Sequence, residues 1–188
     1  MNFPLNENGI IQAKALAAVL KDKGIKHIYS SPLVRATKTA EILCEAIGAD
    51  YETAEDFNNI CIGVWENRLK AELAAECPQM WDTWLNRPEE LIIEGGESLD
   101  AVKERSLKGL TKVIEEREGE TLAIVGHRGV LKPMLAGALQ IAKPCYWRLH
   151  FDTASYSVLT YDSVHGYCLM GLNYTEHLKD IPIIQEFD

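Results

Sequence analysis

The chain has 188 residues, of which 47% are hydrophobic and 25% charged, and this composition favours one domain over two domains or a disordered chain. Its 19 basic and 28 acidic residues leave a formal net charge of −9, which opposes binding to a polyanion such as nucleic acid. The sequence contains no apolar run of the roughly 18 residues that a membrane span requires, and residues 1–9 lack the pattern of a leader. We therefore expect a single cytoplasmic domain over residues 1–188, without nucleic-acid or membrane partners.

The five cysteines are an odd, scattered set without CxxC spacing: Cys44, Cys61, Cys77, Cys145 and Cys168. This arrangement argues against a disulfide framework and against a zinc knuckle. We expect all five to be free thiols that fill core or surface positions. The sequence gives no reason to expect a metal ion or an organic cofactor.

The first part of the chain alternates helical and strand patterns. Residues 6–23 carry apolar side chains at a period of 3.6, with Asn6 as a candidate N-cap and Gly24 as a candidate stop. Residues 25–30 form a short strand pattern. A second helix is predicted from Ser31 and Pro32 through Ala46. This alternation indicates an α/β fold.

A less regular stretch follows at residues 51–94. It holds Trp65, Trp81 and Trp84 together with Pro78 and Pro88, and prolines at this density favour short helices and loops. We predict a lid-like insert here. Its tryptophans either form a wall for an apolar leaving group or pack the insert itself, and the sequence leaves both interpretations open.

The second half returns to regular patterns. Ser98 begins a long amphipathic helix that ends in the charged run at residues 115–120, and residues 121–126 form an apolar run typical of a strand buried on both faces of a parallel sheet. Residues 129–139 have a helical pattern, and residues 155–161 and 167–172 have the pattern of a strand pair. The predicted fold is a three-layer α/β/α domain with a mostly parallel sheet.

Two polar side chains follow strands at positions suited to ligand binding. Arg35 lies in the first turn after strand 25–30, where its guanidinium offers two parallel donors to a phosphate. His127 follows strand 121–126, and Gly126 and Gly129 on its two sides let the backbone approach a ligand. Parallel strands gather ligands at their carboxyl ends, so the joint placement favours a phosphate site. The alternatives are a solvent-exposed or ion-paired Arg35 and an ordinary core histidine.

Six short motifs occur in order along nearly the whole chain. They are Pro-Leu-Asn-Glu-Asn-Gly (4–9), Tyr-Ser-Ser-Pro-Leu-Val-Arg-Ala-Thr-Lys-Thr-Ala (29–40), Gly-Val-Trp-Glu (63–66), Gly-Gly-Glu-Ser (95–98), Gly-His-Arg-Gly-Val (126–130) and Asp-Thr-Ala-Ser (152–155). Together they resemble the histidine phosphatase superfamily of phosphoglycerate mutase-like proteins, in its broad phosphatase branch. The resemblance implies a phosphomonoester hydrolase that acts on a small phosphorylated metabolite through a phosphohistidine.

The resemblance also assigns roles to the two strand-end residues. Arg35 matches the second phosphate-clamping arginine of the family, and His127 matches its second pocket histidine. The family's first strand ends in Arg-His-Gly, whose histidine attacks phosphorus, and this chain contains no such triplet. Met1 aligns just before the family's Pro-Leu-Thr-Glu-Xaa-Gly segment. We therefore expect the first strand to be absent and residues 121–126 to keep an unpaired edge, open to aggregation or to a partner.

A second departure concerns the proton donor. Asn59 stands where the phosphatases of the family have a glutamate as general acid, and an amide cannot protonate a leaving alkoxide. Glu66 and Glu97 are possible substitutes if the pocket brings them close. The alternative for both carboxylates is a helix cap or an ion pair with an arginine.

Two explanations remain open for the missing strand. Either the natural protein begins upstream of Met1, or the front of the gene has been lost. We expect a phosphatase that is inactive or impaired in the chain as given, with weak residual phosphate binding at Arg35 and His127. The alternative is a non-catalytic phosphate-binding or regulatory subunit, as a homodimer or paired with a full-length paralogue. A mutase is less favoured because Arg68 and Arg87 stand alone within the insert.

Overall fold

A three-stranded parallel sheet lies at the centre of the computed structural model, which describes residues 2–181. Strand β1 (Ile25–Ser30) is central, with β2 (Asp50–Thr53) on one side and β3 (Thr121–Val125) on the other. Both neighbours run parallel to β1, and Ser30 is paired with Thr53 and with Val125. The predicted α/β fold with a parallel sheet is confirmed.

Residues 2–181 form six α-helices. They are α1 (Glu7–Leu20), α2 (Val34–Ile47), α3 (Lys70–Glu76), α4 (Pro78–Asn86), α5 (Leu99–Glu116) and α6 (Arg128–Ala138). Of these, α1, α2, α5 and α6 pack on the sheet. Helices α1 and α2 pack Leu16 and Leu43 against Ile28 on one face of the sheet. Helices α5 and α6 contribute Leu110 and Met134 to a second cluster on the opposite face. The result is three layers, helix on sheet on helix.

Helices α1 and α5 begin with a side-chain N-cap, whereas the residue before α2 makes no such hydrogen bond. The side chain of Asn6 accepts a hydrogen bond from the Gly9 N–H at 2.8 Å, and Ser98 accepts one from the Ala101 N–H at 3.1 Å, so both predicted N-terminal ends are confirmed. Helix α2 instead begins at Val34, later than predicted. Ser31 precedes a proline and stays extended, and its N–H donates to the Val125 carbonyl at 2.9 Å.

Strand β2 was missed by the sequence analysis, which placed residue 51 at the start of an irregular insert. The strand is short, and none of its side chains is fully buried. Such an edge strand carries no alternation of apolar and polar residues, and its stability comes from the backbone ladder to β1. The irregular stretch therefore begins after Thr53 and not at residue 51.

The remainder of the insert has its own small hydrophobic cluster. Trp65, Leu73, Leu91 and Ile93 are buried there, and Met80, Trp81 and Trp84 pack against them. A single antiparallel bridge between Ile62 and Gly96 joins the two ends of the segment. The tryptophans therefore pack the insert, whereas a wall for an apolar leaving group and the action of the insert as a lid both stay predictions.

The last two strands form an antiparallel hairpin, as predicted. Strands β4 (Tyr156–Asp162) and β5 (Gly166–Tyr174) pair with each other and form a separate sheet. Leu159 and Leu169 of the hairpin pack against Leu135 of α6. This contact packs the hairpin against α6.

The covalent and membrane features are simple. All five cysteines are free thiols, as the sequence analysis predicts. Over residues 2–181, no helix is long and apolar enough to cross a bilayer.

Candidate functional site

A large open cavity of about 2480 Å³ adjoins the carboxyl ends of β1 and β3 and extends along β3. The two sequence-predicted residues Arg35 and His127 both line it, as do Asn59, Glu66 and Arg128. The parallel pairing of β1 with β3 explains this convergence, because it brings the loops after Ser30 and Val125 to one edge of the sheet.

His127 is held by a buried hydroxyl. Its Nε2 lies 2.8 Å from Oγ of Ser31, which is fully buried directly after β1. The Ser31 Oγ also accepts a hydrogen bond from the Leu33 N–H at 3.3 Å. The imidazole is therefore oriented by the loop that leads into α2, the helix that carries Arg35.

The charge state of His127 follows from its surroundings. Burial, and to a smaller extent the positive charge of Arg35, lower the pKa of His127 from 6.5 to about 4. Burial also lowers the pKa of Arg35, which remains a cation at neutral pH. At neutral pH the site therefore presents a neutral imidazole beside a guanidinium. An anion is the ligand that this field attracts, and its charge would favour protonation of the imidazole.

Asn59 lies next to the first turn of α6. A Cβ atom placed on Gly129 would lie 2.7 Å from Cγ2 of Ile60 and 3.4 Å from Oδ1 of Asn59, so the absence of a side chain at residue 129 lets this loop approach the helix. The main-chain carbonyl of Asn59 accepts a hydrogen bond from Arg105 at 3.3 Å. The side chain of Asn59 therefore lies near Gly129, two residues after His127, on a loop that Arg105 holds by a hydrogen bond.

The carboxylate of Glu97 is bound by two neighbouring residues of the chain. Its carboxylate pairs with Nε of Arg105 at 2.7 Å and accepts a hydrogen bond from the Cys61 N–H at 3.0 Å. Burial by itself would raise the pKa of Glu97, but the hydrogen bonds from Arg105 and Cys61 outweigh it, and the pKa lies below its ordinary value. Glu97 is not among the residues that line the cavity. Of the two candidate carboxylates, only Glu66 lines the cavity.

Two further residues belong to the site and were not among the sequence-predicted ones. Ser31 orients the imidazole, and Arg128 lines the cavity. The Ser-Ser-Pro sequence at a strand end was the available signal for Ser31. Across residues 2–181, no three histidine, cysteine, aspartate or glutamate side chains lie close enough to hold a metal ion.

Comparison with known proteins places this chain in a family. The model of the histidine phosphatase superfamily (branch 1) matches residues 1–172. Phosphoserine phosphatase 1 of Hydrogenobacter thermophilus is 32% identical over 177 residues, which cover 94% of this chain and 83% of that protein. A probable phosphoglycerate mutase, GpmB of Yersinia pestis, is 30% identical over 187 residues, which cover 97% of this chain and 86% of that protein.

Solved structures agree with these relatives. YhfR of Bacillus stearothermophilus superposes with a TM-score of 0.89 at 25% identity, over 95% of this chain and 88% of that one. The mycobacterial glucosyl-3-phosphoglycerate phosphatase in complex with inorganic phosphate superposes with a TM-score of 0.84 at 24% identity, over 94% of this chain and 90% of that one, which shows a shared fold. The chain is a member of the histidine phosphatase superfamily, branch 1.

Proposed function

We propose that the cavity holds the phosphoryl group of a small phosphorylated metabolite and that the protein is a phosphomonoester hydrolase. The observation that carries this proposal is the convergence of Arg35 and His127 on one cavity, close enough for the charge of Arg35 to lower the pKa of His127. The relative that is named a phosphoserine phosphatase supports it. Phosphomonoesters with a small polar leaving group are thus the first substrates to test.

In this proposal each side chain has a distinct task. Arg35 binds two phosphoryl oxygens through its planar guanidinium. His127, neutral before binding, gains a proton when the phosphate dianion lies beside it and then donates a hydrogen bond to a third oxygen. Ser31 is a positioning residue, since its hydroxyl holds the ring of His127 at 2.8 Å.

The leaving group needs a proton, and this site supplies it poorly. We place Asn59 at the position of the family's general acid, where its amide is too weak an acid to protonate the leaving alkoxide. Glu66 is the carboxylate that lines the cavity and is the candidate replacement. General acid catalysis contributes about 10²–10⁴-fold to such reactions. Esters whose alcohol leaves readily without protonation should therefore be cleaved faster than serine phosphate.

The nucleophile sets a second limit. Of the histidines within residues 2–181, His127 alone lines the cavity, whereas the family's covalent route needs an attacking histidine and a second one. We therefore propose that the chain as given binds phosphate but turns over slowly. Binding without any turnover would instead favour the non-catalytic phosphate-binding subunit.

The test compares two substrates and three variants. Hydrolysis of p-nitrophenyl phosphate and of O-phosphoserine is measured for the wild type, Arg35→Ala, His127→Gln and the control His165→Gln, which changes an exposed histidine of the hairpin. We expect slow release from p-nitrophenyl phosphate, still slower release from phosphoserine, and loss of phosphate binding in Arg35→Ala and His127→Gln only. Equal phosphate affinity in all four proteins would refute the site. A rapid phosphoserine turnover with an acid-trapped phosphohistidine would refute the impaired activity.

A further inference from the structure

One wall of the cavity is formed by an irregular loop. Residues 56–61, which we call the Asn59 loop, lie after strand β2 and carry two residues that line the cavity, Asn59 and Ile60. Residues 58–61 belong to no helix or strand. The N–H and C=O groups of such a segment need partners outside regular secondary structure. The position of Asn59 and Ile60 therefore depends on the groups that hold this loop.

Arg105 of helix α5 holds the loop with one planar group. Its Nε and Nη2 donate to the two carboxylate oxygens of Glu97 at 2.7 and 3.1 Å, and this pairing fixes the plane of the guanidinium. Its Nη1 also donates to the Asp56 carbonyl at 2.9 Å, and its Nη2 to the Asn59 carbonyl at 3.3 Å. The Arg105 and Glu97 side chains are only 22% and 29% exposed. One guanidinium thus joins α5 to two points of the Asn59 loop.

Glu97 holds the end of the same loop. Its Oε2 accepts a hydrogen bond from the Cys61 N–H at 3.0 Å. Its own N–H donates to the Cys61 carbonyl at 2.8 Å. The ion pair of Arg105 and Glu97 therefore fixes the loop at residues 56, 59 and 61, although neither member of the pair lines the cavity.

The Asn59 loop also contacts the helix that begins beside His127. Helix α6 starts directly after His127, and Gly129 lies in its first turn. A Cβ atom on Gly129 would lie 2.7 Å from Cγ2 of Ile60 and 3.4 Å from Oδ1 of Asn59, so the loop and the helix leave no room for a side chain between them. Because packed atoms of this kind transmit displacements, a shift of the loop should alter the first turn of α6.

We propose that Arg105, through its pair with Glu97, is a positioning residue of the candidate site. It sets where Asn59 and Ile60 stand against the first turn of α6, and thereby how the cavity fits a phosphoryl group beside His127. The inference rests on the proposed function for the identity of the ligand only. The connection from the ion pair to His127 rests on the distances within the chain.

The opposite charges of the pair separate positioning from simple electrostatics. If charge alone acted, removal of the negative charge in Glu97→Gln would strengthen the binding of phosphate, whereas a loosened loop weakens it. Arg105→Lys keeps the positive charge, but an ammonium group cannot bridge a carboxylate and two carbonyls in one plane. We therefore expect both variants to weaken phosphate binding by about threefold to tenfold.

Titration with inorganic phosphate, followed by NMR of the His127 ring protons, measures this affinity. The signals come from folded molecules, so a mere loss of stability does not change the dissociation constant. The control is Lys112→Met, which removes an exposed cation of α5 that pairs with Glu116, and it should keep the affinity of wild type. Tighter binding by Glu97→Gln, or wild-type affinity in Arg105→Lys, would overturn the proposal.

A second readout needs no ligand. In the free protein, the backbone amide signal of Gly129 and the ring signals of His127 should shift in Glu97→Gln and in Arg105→Lys, but not in Lys112→Met. Unchanged signals in the first two variants would overturn the proposal, whether or not phosphate binds. Shifted signals without any phosphate binding by the wild type would refute the proposed function and support the positioning of this wall.

Discussion

Acidification should destabilise the fold through His127. The pKa of this residue is lowered from 6.5 to about 4, chiefly by burial and further by Arg35. The unfolded chain therefore takes up a proton at His127 near pH 6.5, while the folded chain does so only near pH 4. Stability is fully retained above pH 6.5 and is lost as the pH falls through this window, because protons then favour the unfolded state.

The magnitude follows from the two pKa values. The linkage relation gives a loss of about 2 kcal/mol at pH 5 and about 3 kcal/mol at pH 4 from this one residue. Since the ring borders an open cavity, water entering the cavity reduces both values. A loss of even about 1.5 kcal/mol is easily measured for a domain whose total stability is about 5–15 kcal/mol.

Urea unfolding at pH 7, 6 and 5 provides the assay, with wild type compared to His127→Gln and to the control His165→Gln. Other groups also titrate, but they do so in all three proteins, so the differences isolate each histidine. The wild type and His165→Gln should lose about 1–2 kcal/mol more than His127→Gln between pH 7 and pH 5. Parallel pH dependences for wild type and His127→Gln would refute the reasoning.

Three further predictions concern the pKa of His127, the backbone at Gly63 and the contacts of Glu97. Arg35→Ala should raise the pKa of His127 without restoring its ordinary value, because burial is the larger cause of the shift. Titration of the histidine ring protons by NMR measures this pKa. An unchanged pKa in Arg35→Ala would contradict the prediction. Gly63→Ala should cost about 2–5 kcal/mol in urea unfolding, because a Cβ at its positive φ meets the backbone at residues 94–96. The control is Gly119→Ala, at a residue that also has a positive φ but is surrounded by open space, and it should lower the free energy of unfolding by only about 1 kcal/mol. Equal losses in the two variants would contradict the steric explanation. Glu97→Gln should lower the free energy of unfolding by about 1–2 kcal/mol at pH 7, because it weakens the contacts to Arg105 and Cys61. Since the pKa of Glu97 is lowered, the difference in stability from wild type should shrink as the pH falls toward 4. A difference that stays constant with pH would contradict the structural role of this carboxylate.

The sequence by itself determined the local elements of this protein. Asn6 and Ser98 cap their helices with their own side chains, and such caps depend only on the backbone within the next turn. The spacing of apolar residues also predicted the long helices, and the continuous apolar run predicted β3, because both patterns reflect which side chains are buried. The ordered motifs further indicated that Arg35 and His127 serve one site.

Only the tertiary structure decided what depends on distant residues. Strand β2 is held by backbone pairing to β1 and leaves no periodic signal in its side chains. Ser31 and His127 are 96 positions apart and meet through the parallel pairing of two strands. Glu97 was an equal candidate to Glu66 until Arg105 was placed beside it. Contacts of this kind are set by which strands and helices become neighbours, and no local pattern of residues encodes that choice.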